Sequence, residues 1–330
     1  MKFENASGFA AHLYRTELRK DEILCSLLVR VRYVLEDGRT LRLAEGDDGC
    51  RDVRREALDL GEYGTVENDS LYPRRGTDVI VLGDAIPPGG KESVATRVRL
   101  SAGPYLMALN VFGDRVWEKL FGAATLTASP PRPFSRMPVT YRNAYGGSAT
   151  TEVGKVPSPN NPIGKGFYVT KEEALGQPLP NVELADQPIQ SFEDRPDPGG
   201  FGPYSPAWGL RVRDLVEVES GKITPRPDRG LFDRAHPALS AKRLASGDRF
   251  ELTGMTAGKP VDFTLPECPV EVEVFLGGAT HVRSLHIEEV LVDLRPDRAR
   301  PTVELAFRKM FKYLIVPYER RTATLRRRGA

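Results

Sequence analysis

The residues best suited to chemistry are few and scattered. The four histidines are His12, His236, His281 and His286. None stands in an HExxH or beside a CxxC pair, so the ligand spacing of a zinc site is missing and no metal is expected. His236 is the one to weigh, because Phe232-Asp233-Arg234-Ala235-His236-Pro237 sets a carboxylate three residues before an imidazole. Such a pair could orient the ring for base work. No serine or cysteine stands in a nucleophile setting such as GxSxG. A structural or solvent-facing His236 is the plainer reading, so no catalytic residue is assigned. Gly164-Lys165-Gly166 and Gly199-Gly200-Phe201-Gly202 fit neither phosphate-loop spacing, and they read as turn glycines. The acidic pairs Asp47-Asp48 and Glu172-Glu173 read as solvated surface. No cofactor is implied.

The informative stretch runs from Pro131 to Leu210 and holds thirteen prolines and ten glycines. That density is usual in disordered linkers. Linkers are poor in large apolar side chains, yet Phe134, Tyr141, Tyr145, Phe167, Tyr168, Phe192, Phe201, Tyr204 and Trp208 all fall here. Proline fixes φ and glycine admits positive φ, so together they define one irregular path. An ordered, loop-built surface is expected, and such loops commonly carry binding. Candidate contact residues are Tyr145, Gly146 and Gly147; Asn161, Pro162, Gly164 and Gly166; Pro180 and Asn181; Pro198, Gly199, Gly200 and Phe201; and Trp208 with Arg211. The aromatic and arginine members could equally cap the protein's own core.

These residues need a scaffold, and the flanks read as β. Ile23 to Leu35 ends in alternation, with Val29, Val31 and Tyr33 on one face and Arg30 and Arg32 on the other, the mark of a half-buried strand. Asp37-Gly38 then Thr40 to Leu43 completes a hairpin. Asp78 to Leu82, Ser93 to Leu100, and a hairpin of Tyr105–Phe112 with Arg115–Glu118 follow. Beyond the centre, strands are expected at Leu210–Val218, Phe250–Thr253, Val261–Leu265 and Val270–Phe275. One strand broken at Glu288-Glu289 is expected over Arg283–Leu294, then strands at Thr302–Phe307 and Lys312–Val316. Lys171–Leu175 and Ala238–Ala245 are the best helix candidates, and residues 44–76 give no clear pattern. The fold class is all-β with few short helices, sandwich- or barrel-like. The chain divides into a β segment at 1–130, the loop region at 131–211 and a second β segment at 212–330, or forms one continuous domain.

A net charge of +2 over 330 residues argues against a nucleic-acid partner. The basic run Arg320 to Arg328 reads as a frayed tail. Cys25, Cys50 and Cys268 are odd in number and far apart, so no disulfide framework is expected. No h-region follows Met1-Lys2, and no run reaches the length of a membrane span. A cytoplasmic protein without a membrane partner is expected.

Several central motifs, in order, resemble a bacterial family catalogued as domain of unknown function 2169. They are RPFSRMPVTYRNAYGG at Arg132 to Gly147, NPIGKGF at Asn161 to Phe167, LPNVE at Leu179 to Glu183 and PGGFGPYSPAW at Pro198 to Trp208. LFDRAHPAL at Leu231 and SGDRFELTGM at Ser246 are weaker matches. Members occur in type VI secretion gene clusters and are thought to act as adaptors or chaperones for a secreted effector. The resemblance implies a non-enzymatic protein that binds an effector and helps load it onto the spike or its PAAR-type tip. One departure stands at Asp233 to Leu239, where the family often has an Asn-x-Ala-Pro-x-Asp-Gln type motif. Two other readings are an enzyme using His236 and a carbohydrate-binding β module stacking Trp117 or Trp208 on sugar rings.

Overall fold

Three large sheets built on one shared core, with six two-stranded ones among the described residues, dominate the computed structural model, which describes residues 1–46, 49–50, 52–121, 125–152, 154–226, 228 and 230–329. The Asp47-Asp48 pair lies outside the described residues. A six-stranded sheet runs Ala10–Arg19, Glu22–Glu36, Thr302–Leu314, His286–Asp293, Asp78–Leu82, with Thr40–Leu43 hydrogen-bonded to Glu22–Glu36. A five-stranded sheet runs Val182–Leu184, Tyr105–Phe112, Ala95–Ala102, Arg249–Thr253, Val261–Thr264. A four-stranded sheet runs Lys2–Asn5, Thr322–Arg327, Val270–Leu276, Ala279–Arg283. The all-β class is therefore correct, with two short α-helices among the described residues, Lys171–Ala174 and Gly209–Asp214. No described helix is long and apolar enough to cross a membrane. Each large sheet draws strands from both sides of the central loops. Leu27, Val31, Leu100, Leu109, Val272 and Leu325 meet in one apolar cluster.

The alternation of Glu22–Glu36 places Leu27, Val29 and Val31 on this core, as their period of two requires. The opposite face was expected to meet water. Instead Arg30 is fully buried, because residues 50–76 fold over it. Its guanidinium donates to both carboxylate oxygens of Asp69 (2.7 and 2.5 Å), to Glu289 (2.9 Å) and to Glu304 (2.6 Å). Segment 44–76 lacks strand patterning because its task is to supply this cover and the charges Arg54, Asp69 and Arg74. The Glu288-Glu289 interruption is a register shift between Ile287 and Glu289 inside a strand that otherwise continues. Consecutive carboxylates thereby serve different cations, Glu288 pairing with Arg308 and Glu289 with Arg30 and Arg74. Burial opposes ionisation of Glu304, but Arg30, Arg54 and Arg32 outweigh it and hold the carboxyl at about 2.

Other local expectations are corrected. Tyr105–Phe112 turns back across Gly103-Pro104 onto Ala95–Ala102, whereas Trp117–Glu118 joins Thr127–Ala128. Gly113 cannot be a hairpin tip, since a Cβ there would lie 1.7 Å from the Arg132 carbonyl oxygen. Leu210–Val218 is the helix Gly209–Asp214 followed by the strand Val216–Glu219. Only Pro237–Leu239 of the expected second helix is helical, as a single 3₁₀ turn. The Lys242 N–H is instead taken by the Tyr105 hydroxyl (2.7 Å). The expected strands at 302–307 and 312–316 are one, Thr302–Leu314. The basic tail is no frayed end up to Arg327, because Thr322–Arg327 lies inside the four-stranded sheet with Ala323 and Leu325 fully buried.

Candidate functional site

A few buried polar side chains pin the central segment to itself and to its neighbours. Asn161 is fully buried, and its Nδ2 donates to the carbonyls of Tyr141 (2.7 Å) and Tyr145 (3.0 Å). Its own carbonyl accepts from the Gly147 N–H (2.8 Å). The chain closes so tightly here that a Cβ on Gly146, at φ +149°, would sit 2.1 Å from the Asn161 oxygen. Tyr145–Gly146 then runs beside Lys165–Gly166 as a short parallel pair. Asn181 is the second pin, reaching the Phe112 carbonyl and Asp114, both at 3.1 Å. Tyr141, Tyr204 and Trp208 pack edge to face with centroids 4.9–5.6 Å apart, a favoured aromatic geometry.

The third pin is Arg211, fully buried on the helix Gly209–Asp214. It donates to Asp233 (3.2 Å), the Ala235 carbonyl (2.6 Å) and Ser240 (3.0 Å). The central loops are thus locked to the 230–240 segment. Asp233 lies near Asp78, which is also fully buried and accepts from Arg74 (2.7 Å) and the Arg234 N–H (2.6 Å). Burial, with Asp233 adding to it against Arg74, pushes the Asp78 carboxyl up to about 7.

The fifteen candidate contact residues therefore stand mostly behind the surface. Tyr145, Gly146, Gly147, Asn161, Gly166, Pro180, Asn181, Pro198, Gly199, Gly200, Phe201 and Arg211 are buried, and Pro162, Gly164 and Trp208 are half-buried. Phe201 has no accessible side-chain surface, and its carbonyl accepts from the Val81 N–H at the edge of the six-stranded sheet (2.8 Å). The twelve buried residues offer almost no surface to a partner in this state, and only Pro162, Gly164 and Trp208 are partly accessible. Trp117 is 3% exposed against Phe192 and Leu126, so it offers no ring face to a sugar. His236 is also buried. Its Nδ1 accepts from the Ala238 N–H (3.2 Å), and its Nε2, turned toward the Pro198 carbonyl, has no full hydrogen bond. Burial, then the Arg211 charge, lowers the imidazole to about 4.

Beside the Arg211 pin lies a cleft of about 580 Å³. One wall is Leu106, Ala108 and the turn Leu184–Gln187, and the other is Leu210, Arg213 and Asp214 with His236–Ala238. Leu106 is 62% exposed, an unusual state for a leucine flanking a deep wall. Asp197 is held by Asn160 (3.0 Å) and Arg213 (3.3 Å), whereas Arg97 and Asp186 form no ion pair among the described residues. Sequence reasoning missed Leu106, Arg97 and Asp186. Their only signal was a large apolar residue at an outward position of an alternating strand. Among the described residues, no cluster of three or more His, Cys, Asp or Glu side chains is arranged to hold a metal ion.

A mainly β scaffold carrying a loop-built, prepositioned cleft is the class of protein this fold defines. The sequence model of a bacterial family, described as an uncharacterized protein conserved in bacteria (domain of unknown function 2169), matches residues 20–308, and the chain belongs to that family. No curated protein and no solved structure matches it.

Proposed function

We propose that this protein is a non-enzymatic adaptor that holds another polypeptide in the cleft between Leu106 and Arg213. The observation that carries the reading is the cleft itself. It sets the exposed Leu106 beside Arg97 and Asp186, which form no ion pair among the described residues, and Arg211 ties the helix behind Leu210 and Arg213 to Ala235. Walls that are already ordered lose little entropy on binding, which favours capture of a partner. On the resemblance in the central motifs, the partner proposed is a type VI secretion effector, delivered to the spike or a PAAR-type tip. Binding would stabilise the effector by mass action and raise its concentration at the tip.

The test is co-expression with the products of the adjoining genes, followed by affinity purification. An effector or tip protein should be recovered with the wild type and lost with a Leu106→Asp, Arg97→Glu double substitution. Equal recovery with both would remove the cleft from the reading. A measurable turnover abolished by His236→Ala, with no partner recovered by the wild type, would overturn the adaptor reading itself.

A further inference from the structure

The four-stranded sheet ends on Ala279–Arg283, and all five residues of that strand are exposed. It is joined to Val270–Leu276 by Gly277-Gly278, with φ values of 57° and 77°, the geometry of a two-residue hairpin turn. Leu276 and Ala279 close the hairpin, so His281 and Arg283 direct their backbone groups inward to Val274 and Val272. Thr280 and Val282 then direct theirs away from the sheet. Among the described residues nothing bonds to these two N–H and two C=O groups. Natural edges are commonly blunted by proline, a bulge or a covering loop, and this one has none of them.

The two faces of this edge differ in chemistry. Thr280 and Val282 share a face with Phe275 and Glu273, and Thr280 borders a hollow of about 300 Å³ that Arg320, Thr322, Thr324 and Arg326 also line. Val282 is 56% exposed there. His281 and Arg283 lie on the other face, and Arg283 has no ion-pair partner among the described residues.

We propose that this edge is a second docking surface, separate from the cleft, and that it receives an extended segment of another polypeptide as an added strand. Cross-strand pairing sets the chemistry of that segment. Residues facing Thr280 and Val282 are β-branched and apolar, and residues facing His281 and Arg283 are acidic. The segment therefore alternates acidic and apolar residues. The same charges select against a second copy of this chain, since symmetric pairing would gather two arginines and two histidines on one face.

The probe is a fluorescein-labelled octapeptide alternating valine and glutamate, titrated into the full-length protein by anisotropy. An octapeptide alternating valine and lysine is the control. The glutamate peptide should bind at least about tenfold more tightly than the lysine peptide. It should also slow amide exchange at Thr280 and Val282. Arg283→Glu should reverse the preference. Val282→Pro removes one outward N–H at a position where edge strands tolerate proline, and should weaken binding at least about tenfold. Should that variant misfold, the reversal by Arg283→Glu still decides. Equal binding of the two peptides, no binding by about 1 mM, or unchanged exchange at Thr280 and Val282 overturns the proposal. Protection of the edge that appears with protein concentration alone does so too, by showing self-pairing.

Discussion

Replacing Arg211 by methionine is the sharpest test of whether the central motifs support the surface or form it. Methionine keeps the stem and removes the guanidinium from a fully buried site. Three acceptors lose their donor: Asp233, the Ala235 carbonyl and the Ser240 hydroxyl. Asp233 keeps only the Arg75 N–H (2.8 Å) and its more distant side chain (3.4 Å), so a carboxylate is left buried with half its compensation. Removing one partner of a buried pair costs about 3–5 kcal/mol. In a chain of this size that corresponds to roughly 2 °C per kcal/mol, or a melting point lower by about 6–10 °C. Calorimetry or urea unfolding reads the change directly. Asp233→Asn should cost a similar amount, and the double variant much less than the two together, because each single change strands the other residue. A variant that melts within about 1 °C of the wild type yet loses its partner would refute this reasoning and make Arg211 a contact residue.

Phe201→Ala should cost about 3–5 kcal/mol in stability, read by urea unfolding, because the ring is fully buried. Gly146→Ala drives a methyl group into the Asn161 carbonyl at a left-handed φ and should cost about 3 kcal/mol, seen as lower soluble yield and melting temperature. Acid should act on two buried groups in opposite senses. The folded-state value of Asp78 is raised, so the wild type should gain stability over Asp78→Asn as pH falls from 8 toward 4. The folded-state value of His236 is lowered, so the wild type should lose stability relative to His236→Gln as pH falls from about 6.5 through 4. Melting curves at fixed pH intervals check both, and matching slopes for wild type and variant would exclude that residue as the source.

The strands that pack on one face were legible because burial enforces a period of two. Tyr105–Phe112 holds to the residue, and Asp78–Leu82, buried on both faces, was legible instead as a short apolar run. What alternation could not reveal is whether the second face also finds a cover. Arg30 reads as a solvent residue until Asp69, Glu289 and Glu304 arrive from 39, 259 and 274 positions away. Leu210–Val218 alternates in sequence, but Arg211 points inward to Asp233, and a helix is what delivers it there. Aromatic content set the Pro/Gly-rich stretch apart from a linker, and most of its rings pack inward, as at Tyr141, Tyr145, Phe192, Phe201 and Tyr204. Whether those aromatics faced out or in was beyond reach, since a ring fits a core and an interface equally well. The cleft was missed for a related reason: its exposed residues are ordinary ones, and only the fold brings Leu106 opposite Arg213.

The neighbouring of Glu22–Glu36 and Thr302–Leu314 has a consequence for biosynthesis. The two strands pair along their length although 265 residues, 37 to 301, lie between them. At ribosomal speeds of 5–20 residues per second, the first strand waits roughly 15–50 s for the second to emerge. Throughout that interval Glu22–Glu36 has only Ala10–Arg19 and Thr40–Leu43 to pair with, and Arg30 lacks Glu304. Vectorial folding from the N-terminus is therefore closed to this chain, and long-range pairing of this kind is slow even when the whole polypeptide is present. The nascent protein spends its vulnerable period with one edge of Glu22–Glu36 unpaired and Arg30 limited to its Asp69 partner. Faster translation of the C-terminal third, or a holdase at the exit tunnel, should raise the yield of native protein more than any substitution in the finished core.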